Sequence, residues 1–166
     1  MKKYMAVVAV LASTVMAVLV PNAQAQLFMM KNSFEGKAAA DFTLLSTAGK
    51  EMSLAEARGD QSAILLFWAT WCPHCREQLS HLASMSAEFE SKGIKVLLVD
   101  VGEGPGQVQA FLEKHSIPYP AFLDQDSKIS ELYEIIGVPT FFFINKTGIV
   151  KTVVHAFPED YEEILK

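Results

Sequence analysis

An α/β domain built on a mixed β-sheet is the fold class this sequence predicts, and three observations predict it. Ala63-Ile64-Leu65-Leu66-Phe67-Trp68 is an unbroken apolar run, the length of one strand buried on both faces. From there to Gly137, strand-like runs alternate with helical periods, the pattern of parallel strands joined by crossover helices. Finally, Thr140 to Ile144 and Ile149 to His155 flank the turn sequence Asn145-Lys146-Thr147-Gly148, an antiparallel hairpin at one edge.

The chain opens with Lys2 and Lys3, then an uncharged apolar run from Met5 to Val20, broken by Pro21 and followed by the small-x-small pattern Ala23-Gln24-Ala25. Residues 1–25 read as a secretory signal peptide. An uncleaved anchor is the alternative, because the run is only slightly shorter than a membrane span. Either places the functional part outside the cytoplasm. Residues 26–35 have no period and read as a linker, and 36–166 as one domain large enough for its own core. The net charge is −5, and the leader holds two of the lysines, so the exported part is more acidic still. An acidic domain without a basic run argues against nucleic acid and anionic lipid as partners.

Within the domain, Asp41 to Leu45 and Glu51 to Leu54 read as paired strands around Thr47-Ala48-Gly49-Lys50. Ser53 with Glu56 forms a capping box that opens a short helix. After the buried strand a single helix runs from Cys72 to a stop at Gly93, carrying Leu79, Leu82, Ala83, Met85 and Phe89 mainly on one side. Ile94 to Val101 is a second central strand. The glycines of Gly102 to Gly106 read as a plain connection, since Pro105 interrupts them and no lysine follows. Gln107 to His115 is the next helix and Ala121 to Leu123 a short extended piece. Asp126 caps a helix bearing Ile129, Leu132, Tyr133 and Ile136, which Gly137 stops. Pro158 starts a last helix that buries Ile164 and Leu165.

The chemistry concentrates at Trp71-Cys72-Pro73-His74-Cys75, which holds both cysteines of the chain. A strand that turns into a helix at C-x-x-C puts the first sulfur at the helix N-terminus, where unpaired N–H groups and the macrodipole favour the thiolate. The second thiol, one turn on, closes a disulfide with it. A loop this short constrains the unfolded chain little, so a structural staple is disfavoured. Zinc would want two further ligands at motif spacing, and they are missing. The site reads as a redox dithiol that calls for no cofactor and no metal. His74 between the cysteines can lend a hydrogen bond or a positive charge to the Cys72 thiolate, against the plain alternative of an exposed turn residue. His81 is read as a helix-surface residue, His115 as a helix-end residue and His155 as plain surface against the alternative of a ligand, Glu77 as a solvated helix residue or proton relay, and Asp100 as a strand-end polar group. Trp68 and Trp71 are core or groove wall, with Trp71 the one placed to touch substrate.

The stretch Phe67-Trp68-Ala69-Thr70-Trp71-Cys72-Pro73-His74-Cys75-Arg76-Glu77, with Gly137-Val138-Pro139-Thr140 far downstream, resembles the thioredoxin fold. It is most similar to the TlpA/ResA-like thiol:disulfide oxidoreductases of bacterial envelopes, across the whole domain, including an N-terminal hairpin and a central αβ insertion. The resemblance implies that Cys72 attacks and Cys75 resolves. It also implies a cis Val138–Pro139 bond beside the disulfide, with Pro139 shaping a substrate groove to which Trp71, Pro73, Val138 and Thr140 contribute. Implied partners are exported proteins with thiols or disulfides, such as apocytochromes c, and a membrane electron donor of the CcdA/DsbD type. The working form is expected to be a monomer in the periplasm or on the outer face of the membrane. Three positions depart from the pattern: Leu66 replaces a buried aspartate of thioredoxin, Gln78 the glutamate of ResA-like members, and Ser80 a common proline. The Cys-Pro-His-Cys tetrad and Val138 also resemble DsbA, so a disulfide-forming oxidant is the alternative, although the chain lacks room for DsbA's helical insertion. A copper-binding module and a peroxiredoxin are weaker readings, the first for its C-x-x-C spacing and the second for want of the peroxidatic signature.

Overall fold

The computed structural model describes residues 32–166, so the expected signal peptide and most of the expected linker lie outside the described residues. The strands are β1 (Thr43–Leu45), β2 (Glu51–Ser53), β3 (Ser62–Trp68), β4 (Ile94–Val101), β5 (Ala121–Asp124), β6 (Thr140–Ile144) and β7 (Val150–Val154). The helices are α1 (Leu54–Arg58), α2 (Pro73–Ser84), α3 (Ser86–Ser91), α4 (Pro105–Lys114), α5 (Lys128–Leu132) and α6 (Tyr161–Ile164). The main sheet has the order β5-β4-β3-β6-β7. The β3, β4 and β5 strands run parallel, while β6 and β7 return antiparallel. The β1–β2 hairpin forms its own small sheet, joined to the main one by a bridge between Ser46 and Phe122.

All seven residues of β3 are buried, as its apolar run requires. Because side chains alternate across a strand, Ile64, Leu66 and Trp68 enter one core with Leu79, Leu82, Phe89, Val108 and Leu112. Leu65 and Phe67 enter the other with Phe42, Leu54, Tyr133 and Phe142. The cysteines belong to the first core, so the reactive pair sits on the α2 face of the sheet.

Several boundaries differ from expectation for local physical reasons. The helix after Cys72 breaks at Met85, whose N–H is shared between the His81 and Leu82 carbonyls, while Ser84 Oγ donates to the His81 carbonyl. Such local side-chain bonds compete with the helical ladder. The α4 helix begins two residues early, at Pro105, where a proline preset for helical φ suits the first turn. Asp124 does more for the start of α5 than Asp126, which accepts the Lys128 N–H at 3.4 Å and pairs with the Lys128 ammonium at 2.5 Å. The Asp124 carboxylate accepts from the Ile129 and Ser130 N–H groups and from Ser130 Oγ. That helix ends at Leu132, and Glu134 takes φ +56, so Ile136 leaves the expected apolar stripe and stands 93% exposed. The last helix starts at Tyr161 rather than Pro158; Tyr161 and Leu165 are its buried residues, and Ile164 is half-buried. Lys92, bound to Glu88 and Glu162, ties it to α3. The capping box of Ser53 and Glu56 is present at α1.

Residues 32–35, expected to be linker, are packed on the domain. Phe34 stacks on Tyr133 at 4.9 Å and meets Phe142 edge-on, while Ser33 Oγ donates to Glu134. Truncation of this ring is expected to register globally: Phe34→Ala should lower the free energy of unfolding by about 2 kcal/mol in urea denaturation. An unchanged midpoint would mean that the segment adheres without contributing.

Candidate active site

The β3 strand delivers the chain to its C-terminal end at Trp68, and a turn with Cys72 N–H on the Ala69 carbonyl brings it into α2. Cys72 is the N-cap residue of that helix, in extended backbone conformation, and Pro73 occupies its first turn. Cys72 and Cys75 are joined by a disulfide, with their Cα atoms 5.2 Å apart. The Cys72 Sγ accepts the Cys75 N–H at 3.1 Å, one of the otherwise unpaired donors at the helix start. Cys72 is 4% exposed and Cys75 is wholly buried, which makes the first sulfur the one a second molecule can reach. Across from it, the Val138 carbonyl oxygen lies 3.6 Å from Cys72 Sγ, at a Val138–Pro139 bond that is cis.

Around this centre the expected residues separate. Trp71 is 68% exposed directly before Cys72, and Pro139 is buried behind Val138. Thr140 is buried too; its hydroxyl donates to the Gly137 carbonyl at 2.7 Å, so it braces the turn instead of facing a ligand. His74 is exposed and turns Nδ1 toward Glu77 Oε2 at 3.5 Å, which engages both residues with each other rather than with a sulfur. Gln78 accepts the Phe157 N–H, a packing role. His81 and His115 lie against Phe157 and Phe111. His155, read as surface, is hydrogen-bonded to the Val138–Thr140 turn. The exposed Ile136, two residues before Val138, adds an apolar side chain beside the site that the helical spacing concealed.

The larger surprise is a pair of carboxyl groups under the active-site turn. Asp100 is fully buried at the end of β4, in register with Trp68 on the neighbouring strand and on the same sheet face as the cysteines. Its Oδ1 accepts the Glu103 N–H at 3.2 Å, while Oδ2 has no partner among the described residues. Glu103, also buried, accepts the Thr70 N–H and hydroxyl, each at 2.6 Å, and is bonded by Gln107 Nε2. Burial first, and then the adjoining Glu103 carboxyl, push the Asp100 carboxyl up to about 8. Both effects disfavour the charged form of Asp100. In the sequence Asp100 shows only as a polar residue at a strand end, and nothing in the glycine-rich connection signals Glu103.

The AhpC/TSA family model matches residues 36–153. The chain belongs to this family. A curated relative, the thiol-disulfide oxidoreductase ResA of Bacillus subtilis, is 33% identical over 137 residues, covering 80% of this chain and 76% of its own. Among solved structures, a putative thiol:disulfide interchange protein DsbE from Chlorobium tepidum superposes with a TM-score of 0.69 at 29% identity, covering 78% of this chain and 92% of that one. StoA from Bacillus subtilis superposes with a TM-score of 0.64 at 25% identity, over 76% and 97%. Together with the Cys72–Cys75 disulfide, these make the chain a ResA-like thiol:disulfide oxidoreductase with the thioredoxin-like fold.

Proposed function

We propose that this protein reduces disulfides in exported proteins outside the cytoplasm, with Cys72 attacking and Cys75 resolving. The observation that carries the reading is Cys72 Sγ at a helix N-terminus, receiving the Cys75 N–H, with the Val138 carbonyl 3.6 Å away. In the reduced protein the Cys72 thiolate attacks one sulfur of a substrate disulfide; that S–S bond breaks and the other substrate sulfur leaves as a thiolate. Cys75 loses its proton and attacks the Cys72 sulfur, the mixed disulfide breaks, and the second substrate thiolate departs. Two electrons have passed to the substrate, and the protein is left with its own disulfide, the state seen here. A dithiol donor must return them, and one of the CcdA/DsbD type in the membrane suits an exported protein with the leader read at residues 1–25. Exposed Trp71 and Ile136 offer apolar contact to residues flanking a substrate cysteine, and apocytochromes c are a suitable substrate class.

The reading of the reducing direction draws support from the placement of His74. A histidine aimed at the nucleophilic sulfur would stabilise the thiolate and raise the potential, but His74 faces Glu77. Equilibration of the Cys72–Cys75 couple with glutathione is expected to give a potential at or below about −220 mV. A value of about −120 to −150 mV would make the protein an oxidant instead. Absence of any reversible couple, with retention of Cu(I), would favour the metal-binding alternative.

A further inference from the structure

The turn that brings Val138 to the disulfide is held from outside by a side chain that the exchange steps do not use. His155, the first residue beyond β7, places Nδ1 3.0 Å from the Pro139 carbonyl oxygen and 3.1 Å from Thr140 Oγ1. The Pro139 oxygen can only accept, and the Thr140 hydroxyl proton already goes to the Gly137 carbonyl at 2.7 Å. Both contacts therefore require the proton to be on Nδ1. One N–H fastens Pro139 and Thr140 together, and the Thr140 hydroxyl extends the chain of bonds to Gly137. Val138, whose carbonyl faces Cys72 Sγ, lies inside this bracket.

We propose that His155 is a positioning residue for substrate engagement: its Nδ1–H holds the Gly137–Thr140 turn at the separation from Cys72 where a substrate segment is received. The inference rests on the reading of this turn as the wall that receives substrate. It acts on binding of an extended chain and not on the sulfur chemistry, since His155 bonds to the turn and not to either cysteine. The amide N–H of an asparagine can stand where Nδ1–H stands, whereas a glutamine reaches to the place of Nε2.

The full chain is assayed with insulin as a protein disulfide and with 5,5′-dithiobis(2-nitrobenzoate) as a small one. For His155→Ala, KM for insulin is expected to rise roughly tenfold while kcat, the rate with the small disulfide and the glutathione equilibrium stay within about twofold, the loss of one directed hydrogen bond. His155→Asn should restore KM and His155→Gln should not. An unchanged KM in His155→Ala, or equal behaviour of the asparagine and glutamine variants, would overturn the assignment. Imidazole ¹⁵N resonances supply a readout independent of turnover: the Nδ1–H tautomer is expected, and an Nε2–H tautomer overturns the bracket. Should the wild-type protein show no reversible dithiol couple, the oxidoreductase reading fails on its own, and the tautomer still decides the role of His155 in the turn.

Discussion

Cys75→Ser is expected to arrest the protein as a mixed disulfide on Cys72, whereas Cys72→Ser should lose disulfide exchange by at least about a thousandfold. The asymmetry follows from placement. Cys72 caps α2 at the surface of the core, and the backbone N–H of residue 75 supports its sulfur whichever side chain that residue carries. Cys75 is sealed beneath it with no exposed surface, so its sulfur meets Cys72 and no outside partner. Removing the buried thiol is expected to leave attack intact and to delete only the step that frees the substrate. Incubation of each variant with a disulfide-linked peptide, followed by intact mass, checks this: the Cys75→Ser protein should gain one peptide chain and the Cys72→Ser protein none. Adduct formation on Cys75 in the Cys72→Ser variant would reverse the assigned order of the two sulfurs.

How much of this was legible in the sequence depends on the range of the interaction. The β3 run, the C-x-x-C at its end and the Ser53–Glu56 capping box are local patterns, and each appears in the fold as read. The arrangement of Val138 opposite Cys72 was implied by resemblance and not by spacing, since 66 residues separate them. Three features escaped because each depends on tertiary neighbours. Ile136 satisfied a helical period, yet α5 ends at Leu132 and the positive φ at Glu134 turns the chain, which leaves Ile136 outside. His155 is exposed, as read, but its bonds to the turn escaped because those partners lie at the start of the adjacent strand β6. Asp100 passed for a strand-end polar group because nothing in one strand announces that its neighbours will seal it from water.

That sealing leads to the second large expected effect, a stability that Asp100 makes dependent on pH. In the unfolded chain the carboxyl releases its proton near pH 4, whereas in the fold it keeps the proton to about pH 8. Between these values the folded state binds more protons than the unfolded state, so this group's contribution to stability declines as pH rises across the window. Asp100→Asn removes the ionisation while keeping the shape, and the amide oxygen can accept the Glu103 N–H. Urea denaturation from pH 4.5 to pH 9 should therefore find the two proteins alike at the acid end, and the variant progressively more stable toward pH 9. Parallel curves would mean that Asp100 ionises alike in both states and holds no extra proton in the fold. A diverging pair would establish that the protein tolerates a buried acid beneath its reactive turn, where a neutral amide would be more stable.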